Sequence, residues 1–347
     1  MKIWVNKTIV EIPSNNFNEA IRFDMLDDST KSNLKTNFEE IWGRFAKDKL
    51  ESVYEDLLVI AASVYTIDKR VPRSGIYPGE TYDNWTRTLE VSLPVIDLDK
   101  WLAVKDELEA TLHFLSGDYW SLNFRKTEEH YREYMYQGDG STINNDFDGV
   151  ALFSGGLDSF SGAIKLLEEN NNICFVGCRE YNALGKRIEE LFELIQNEYS
   201  ERNVDRIVFY TEPGYPRNIN ECKKKKFRED TSRSRSFLFL AAALATASLI
   251  GNEVPVYIPE NGFIGLNMPL TPSRLGSCST RTTHIYFINQ YNSILEKLGI
   301  KHKIDNFFAL KTKGEIVEMV KESDVFIKGA GRTISCSHPM RGAKGVP

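Results

Sequence analysis

Ser154-Gly155-Gly156-Leu157-Asp158-Ser159 is the stretch of this sequence whose residue types and spacing could do chemistry, and that chemistry is the binding of phosphate. Two adjacent glycines permit a tight turn in which no side chain stands between backbone N–H groups and an anion. A helical pattern begins at Asp158, so unsatisfied N–H groups and the positive end of a helix dipole point at the same spot. Ser154 and Ser159 add hydroxyl donors, and Asp158 can hold a magnesium ion on the phosphates through oxygen ligands. A plain strand-to-helix turn, with Asp158 or Ser159 as helix cap, is the alternative. The serine before the glycines and the Asp-Ser after them, flanked by an apolar strand at 150–153 and a helix, favour phosphate. The other nucleotide fingerprints are missing: there is no G-x-x-x-x-G-K-[ST], and Gly329-Ala330-Gly331 does not complete G-x-G-x-x-G.

A phosphate chain needs cations that follow its developing charge. Arg233 and Arg235 open the apolar run 237–250, and Arg235 is the better candidate for a phosphate clamp. Lys311 and Lys313 flank Thr312 just before a helix at 315–323, where their ammonium groups could neutralise a leaving pyrophosphate. The densest basic run, Cys222-Lys223-Lys224-Lys225-Lys226 with Arg228, reads first as a solvated loop. Asn261, Gly262, Asn267, Thr280, Arg281 and Thr283 lie in a long loop-rich segment and are candidate substrate contacts. A flat heterocycle bound there would find apolar faces in Phe263 and Tyr181. No Ser-His-Asp order stands out, and His113, His130 and His302 read as structural.

To place these residues, strands at 150–153, 173–177, 206–210 and 254–258 alternate with helices at 158–169, 183–199 and 232–250. That alternation predicts an α/β fold, a parallel sheet with helices on both faces, whose ligand lies beyond the carboxyl ends of the strands. Ahead of it, Val53, Leu57, Ile60 and Val64 recur at helical spacing, and Trp85, Arg87, Leu89, Val91 and Leu93 alternate with polar residues. A helix from about 99 and a strand through Trp120, Leu122 and Phe124 complete an expected α+β N-terminal domain. The polar stretch Gln137 to Asn145 divides residues 1–145 from 146–347.

Bulk properties narrow the function classes. The chain has 347 residues and a net charge of −6, the wrong sign for gripping a phosphate backbone, so nucleic acid is disfavoured as a partner. Apolar residues from Phe237 to Ile250 are too few to span a bilayer, and no signal-like segment opens the sequence, which predicts a cytoplasmic protein. Five irregularly spaced cysteines argue against a disulfide framework.

The hexapeptide resembles the signature of the PP-loop ATP pyrophosphatases. Further stretches narrow the resemblance: Arg235-Ser236-Phe237-Leu238, Pro259-Glu260-Asn261-Gly262, Asn267-Met268-Pro269-Leu270-Thr271-Pro272, Cys278-Ser279-Thr280-Arg281-Thr282-Thr283-His284 and Lys311-Thr312-Lys313-Gly314-Glu315. In content and order these are similar to the 7-cyano-7-deazaguanine synthases, and the long first domain is similar to that of QueC-like proteins in bacterial Qat antiphage defence systems. The resemblance implies ATP and magnesium as cofactors, adenylation of the carboxylate of a 7-deazaguanine precursor, and capture of the adenylate by ammonia or by a protein amine. It also implies a protein partner encoded in the same defence operon, held by residues 1–145. The synthases hold zinc with four cysteines; Cys336 matches the first, and the chain stops at Pro347 before the others, so the zinc segment reads as cut short. Two other outcomes stay open: an ATP-sensing scaffold without turnover, and an RNA-modifying PP-loop enzyme.

Overall fold

In the computed structural model of the chain, the described residues are 1–73, 85–132, 142–179, 182–217, 219, 227–229, 231, 233–266 and 281–334, with the side chains of 182–184 left aside. The first half carries strands Lys2–Thr8 (β1), Ile21–Leu26 (β2) and Leu34–Thr36 (β3), then helices Glu39–Gly43 (α1) and Ser52–Arg70 (α2). Strand Thr88–Val95 (β4), helices Leu98–Ala103 (α3) and Lys105–Ser116 (α4), and strand Tyr119–Lys126 (β5) follow. Four of these strands form a sheet in the order β2-β1-β4-β5. Every neighbouring pair runs parallel, with Ile3 opposite Ile21 and Val91 opposite Leu122. This corrects the expectation of an α+β domain: a two-residue apolar alternation reports one buried face but not strand direction, and here helices carry the chain back between β4 and β5. The single helix expected from 99 is broken at Val104, which packs inward at the junction of α3 and α4, and Leu102 faces outward.

The second half starts with strand Gly149–Leu152 (β6), helix Leu157–Glu168 (α5), strand Ile173–Cys178 (β7), helix Asn182–Glu198 (α6) and strand Val204–Phe209 (β8). It continues with the short strand Thr211–Pro213 (β9), helix Arg235–Ile250 (α7), strand Val256–Tyr257 (β10), helices Gly262–Leu266 (α8) and Ile285–Lys297 (α9), and strand Ile304–Asp305 (β11). Helices Lys313–Val320 (α10) and Asp324–Gly329 (α11) close the described part. Five strands form a second all-parallel sheet in the order β11-β10-β6-β7-β8. The protein is therefore α/β, with parallel sheets flanked by helices. Successive strands run outward on one side of β6 and return on the other as β10, so the order reverses between β6 and β10. In open parallel sheets that reversal opens the crevice where ligands bind.

The halves share a core. Leu240, Ala243 and Leu244 of α7 are fully buried, in one continuous apolar cluster with Leu57, Ile60 and Val64 of α2. A second tie is antiparallel pairing of β3 with β9, Leu34 opposite Pro213 and Thr36 opposite Thr211. Most of the expected boundary from Gln137 to Asn145 lies outside the described residues.

Beside α7 sits a buried ionic cluster. Arg87 donates to Asp68 Oδ1 at 2.7 Å and to Asp118 Oδ2 at 2.5 Å, while Arg73 takes both Asp118 oxygens at 2.5 and 2.7 Å. Asp68 Oδ2 in turn accepts the Ser234 hydroxyl at 3.0 Å, which fastens the start of α7 to the end of α2. Among the described residues no helix is long and apolar enough to cross a membrane.

Removing Arg87 leaves two buried carboxylates, Asp68 and Asp118, to share Arg73 alone. Arg87→Ala is expected to lower stability by about 3–5 kcal/mol, read as the urea midpoint shift followed by circular dichroism.

Candidate functional site

The hexapeptide lies where the sheet order reverses, between the end of β6 and the start of α5. Gly155 has φ +74°, the left-handed region, and a Cβ there would stand 2.7 Å from Ile188 Cγ1, so both conformation and space require glycine. Gly156 is the extended residue before α5 and brings no capping side chain to the helix start. The N–H ends of that helix are thus turned to the loop, as the sequence leads one to expect.

The two serines divide their work unequally. Ser159 is buried, and its hydroxyl donates to the Gly156 carbonyl at 3.0 Å and accepts the Ser154 N–H at 3.3 Å, so it staples the turn. Ser154 is half-buried, with its hydroxyl 3.1 Å from that of Ser159 and accepting the Gly156 N–H at 3.4 Å. Ser154, more open than Ser159, is the hydroxyl placed to meet a ligand. Leu157 opens α5 and packs partly buried against the apolar cluster beneath.

Asp158 is buried at the first turn of α5 and gathers residues from two distant loops. Asn261 Nδ2 donates to its Oδ2 at 2.5 Å, and Lys313 Nζ stands 3.2 Å from its Oδ1. Among the described residues that Oδ1 accepts no hydrogen bond, so the lysine acts on it as a charge and its lone pairs stay open. Gly162, one turn further on, lets the Asn261 loop come this close: a Cβ there would fall 2.2 Å from Pro259 Cβ. Gly262 does the same on the other side, donating its N–H to the Lys311 carbonyl at 2.8 Å where a Cβ would meet Ala309 O at 2.5 Å. Thr312 and Glu315 form a capping box that starts α10 and so fixes where Lys313 emerges.

Glu260, absent from the residues singled out by sequence as site members, belongs to this group. Burial pushes its carboxyl up to about 7, the Asp158 carboxylate adds to the rise, and Lys313 and Arg235 oppose it. The signal was present in Pro259-Glu260-Asn261-Gly262, but nothing local says that this loop meets the start of α5. Arg235 begins α7 with its guanidinium 4.7 Å from the centre of the Phe239 ring, close enough to Glu260 for its charge to be felt.

Other expected members are placed elsewhere. The Lys311 side chain is exposed, and it is its carbonyl that serves the site. Arg281 turns to the first half, donating to the Phe114 carbonyl at 2.6 Å and stacking on that ring at 4.7 Å. Thr283 is buried, and its hydroxyl has no hydrogen-bond partner among the described residues. Phe263 is about half-exposed on α8. Asn267, Thr280, Tyr181 and Cys336 lie outside the described residues, as do Cys222 and Cys278. Cys174 and Cys178 are buried on β7, and no group of three acidic, histidine or cysteine side chains fit for a metal ion occurs among the described residues. His284 caps α9 by accepting the Tyr286 N–H at 3.1 Å, and His302 bonds the Val254 carbonyl at 2.9 Å. His113 bonds the Asp118 carbonyl at 3.0 Å and His130 meets Glu55 at 3.0 Å, so each described histidine has a structural partner.

No family model matches the chain, and no curated protein does. Among solved structures, a ketoreductase domain from the bacillaene assembly line is 9% identical, aligned over 96% of this chain and 90% of that one with a TM-score of 0.26. A likeness at that level carries no argument about fold or activity.

Gly155→Ala is expected to cost about 1–2 kcal/mol from the left-handed backbone alone, with more from the contact with Ile188, and Ile188→Ala should restore the second part only. Thermal denaturation of the two single variants and the double variant separates them. For Glu260, a carboxyl protonated more readily when folded stabilises the protein fully below its unfolded value of 4.5, and that stability is lost as pH rises through about 7. Glu260→Gln stays neutral throughout, so it should gain stability over the parent chain at pH 8 and show no such gain at pH 4; urea titrations at both values read the difference.

Proposed function

We propose that this chain is a PP-loop ATP pyrophosphatase that adenylates a carboxylate. The observation that carries the reading is Asp158, buried at the reversal point of a parallel sheet behind a glycine turn, and held between Asn261 and Lys313. Backbone N–H groups of the turn and the Ser154 hydroxyl hold the phosphate chain of ATP, as helix N-termini commonly do. Asp158 would hold magnesium, which would supply charge neutralisation for the phosphates. The substrate carboxylate attacks the α-phosphorus, and the bond to the bridging oxygen breaks with departure of pyrophosphate. Lys313 and Arg235 stabilise the charge that leaves. An amine then attacks the acyl carbon, AMP departs, and the amine proton is lost; a carboxyl poised at about 7, that of Glu260, suits its acceptance.

The substrate class rests on the resemblance of the motifs to 7-cyano-7-deazaguanine synthases, which makes a 7-deazaguanine carboxylate the first compound to try. Packing of residues 1–73 and 85–132 on α7 and β9 favours a role for the first half in holding the catalytic half, in addition to any protein partner it recruits. The defence role and the partner follow from the same resemblance.

Pyrophosphate and AMP should form from ATP and magnesium when 7-carboxy-7-deazaguanine is added to the full chain. Asp158→Asn should slow that release by about 100-fold or more while ATP still binds. ATP binding with no pyrophosphate released by the parent chain would overturn the enzyme reading and leave the scaffold.

A further inference from the structure

Asn306 directly follows β11 and is half-buried at the carboxyl end of the second sheet. Its Oδ1 accepts from both loops that build the site: the Phe308 N–H of its own loop at 3.1 Å, and the Glu260 N–H of the loop after β10 at 3.4 Å. The Glu260 N–H is shared with the Ile258 carbonyl at 3.0 Å. The Asn306 carbonyl accepts the Ala309 N–H at 3.0 Å, which closes a turn over 306–309. Past that turn the Lys311 carbonyl accepts the Gly262 N–H at 2.8 Å. The Nδ2 atom of Asn306 is buried and bonds nothing among the described residues, so the oxygen carries the work of the side chain.

Both loops press on one point of α5. A Cβ at Gly162 would stand 2.2 Å from Pro259 Cβ and 3.3 Å from Phe307 Cζ, so the neighbours of Glu260 and of Asn306 meet the same glycine, one turn beyond Asp158. The loop after β10 carries Glu260 and Asn261, and the loop after β11 leads to Lys313. Asn261 and Lys313 then reach the two oxygens of Asp158. Strands β10 and β11 pair over only two residues each. Beyond the Ile258 N–H bond to the Asp305 carbonyl at 2.8 Å, the Asn306 oxygen continues their register into the loops.

We propose that Asn306 is a positioning residue: its Oδ1 locks the loops after β10 and β11 in register, and so holds Glu260, Asn261 and Lys313 in place around Asp158. It acts through those residues and not on the substrate. Its kinetic consequence rests on the adenylating reading of the site, and its structural consequence rests on the hydrogen bonds alone.

The test pairs hydrogen exchange at the Gly262 amide with pyrophosphate release, on the full chain and on Asn306→Ala and Asn306→Asp. Loss of the oxygen in Asn306→Ala should speed exchange at Gly262 by about fivefold or more, with the amides of β7 unchanged. Asn306→Asp keeps an acceptor oxygen and gives up only donors that bond nothing, so it should retain the protection of Gly262. With ATP, magnesium and 7-carboxy-7-deazaguanine, Asn306→Ala should lower kcat by about tenfold or more. KM for ATP should stay within about twofold of the parent value, because the Ser154–Ser159 turn is untouched. Unchanged exchange at Gly262 in Asn306→Ala, equal loss of protection in β7, exchange in Asn306→Asp as fast as in Asn306→Ala, or an unchanged kcat in Asn306→Ala would each overturn the proposal. If the parent chain releases no pyrophosphate, the adenylating reading fails, and exchange at Gly262 alone decides whether Asn306 locks the loops.

Discussion

Helix α7 has almost no face to give to water. Phe237, Leu238, Leu240, Ala241 to Ala245 and Ala247 are all fully buried, so the helix must be covered on one side by the β6–β7 region of its own sheet and on the other by α2. At about 1.5–3 kcal/mol for each large apolar side chain removed from water, exposing one of those sides would cost more than an ordinary domain has to spare. The two sheets are therefore obliged to share this helix. Asp68 then sets its position along its axis by gripping Ser234, and that in turn sets where Arg235 emerges near Glu260. A residue in the first half thus governs placement in the second.

Within the second half, the pattern of strands and helices was legible because it follows from simple periods. The expected strand at 150–153 and helix at 158–169 correspond to β6 and α5 within a residue, and β7, α6, β8, α7 and β10 are likewise present. The first half was less legible for a physical reason. Strand β1 carries Asn6 and Lys7 as buried residues, paired with Asp24 and Glu55, so the apolar alternation that would announce a strand is broken by polar groups whose partners are distant in sequence. Strands β3 and β9 are three residues each and exist because they meet one another.

The site was legible in parts. Glycine at 155 is demanded by a local turn, and local geometry is what a sequence motif encodes. The company of Asp158 is not local: Asn261 arrives because Gly162 lets Pro259 press against α5, and Lys313 because a capping box ends the preceding loop. Glu260 acquires its character only from that convergence. Arg281 shows the converse, a polar residue in a substrate-like loop that the fold spends on Phe114.

The packing of α2 against α7 also has a consequence in time. During synthesis, α2 is complete at Arg70, whereas α7 ends at Ile250. At roughly 5–20 residues per second, about 180 intervening residues take on the order of ten to forty seconds to appear. Through that interval the apolar side of α2 has no native cover, and β3 waits equally for β9. Until its covering helix leaves the ribosome, the newborn first half exposes apolar surface of the kind through which incomplete folds aggregate.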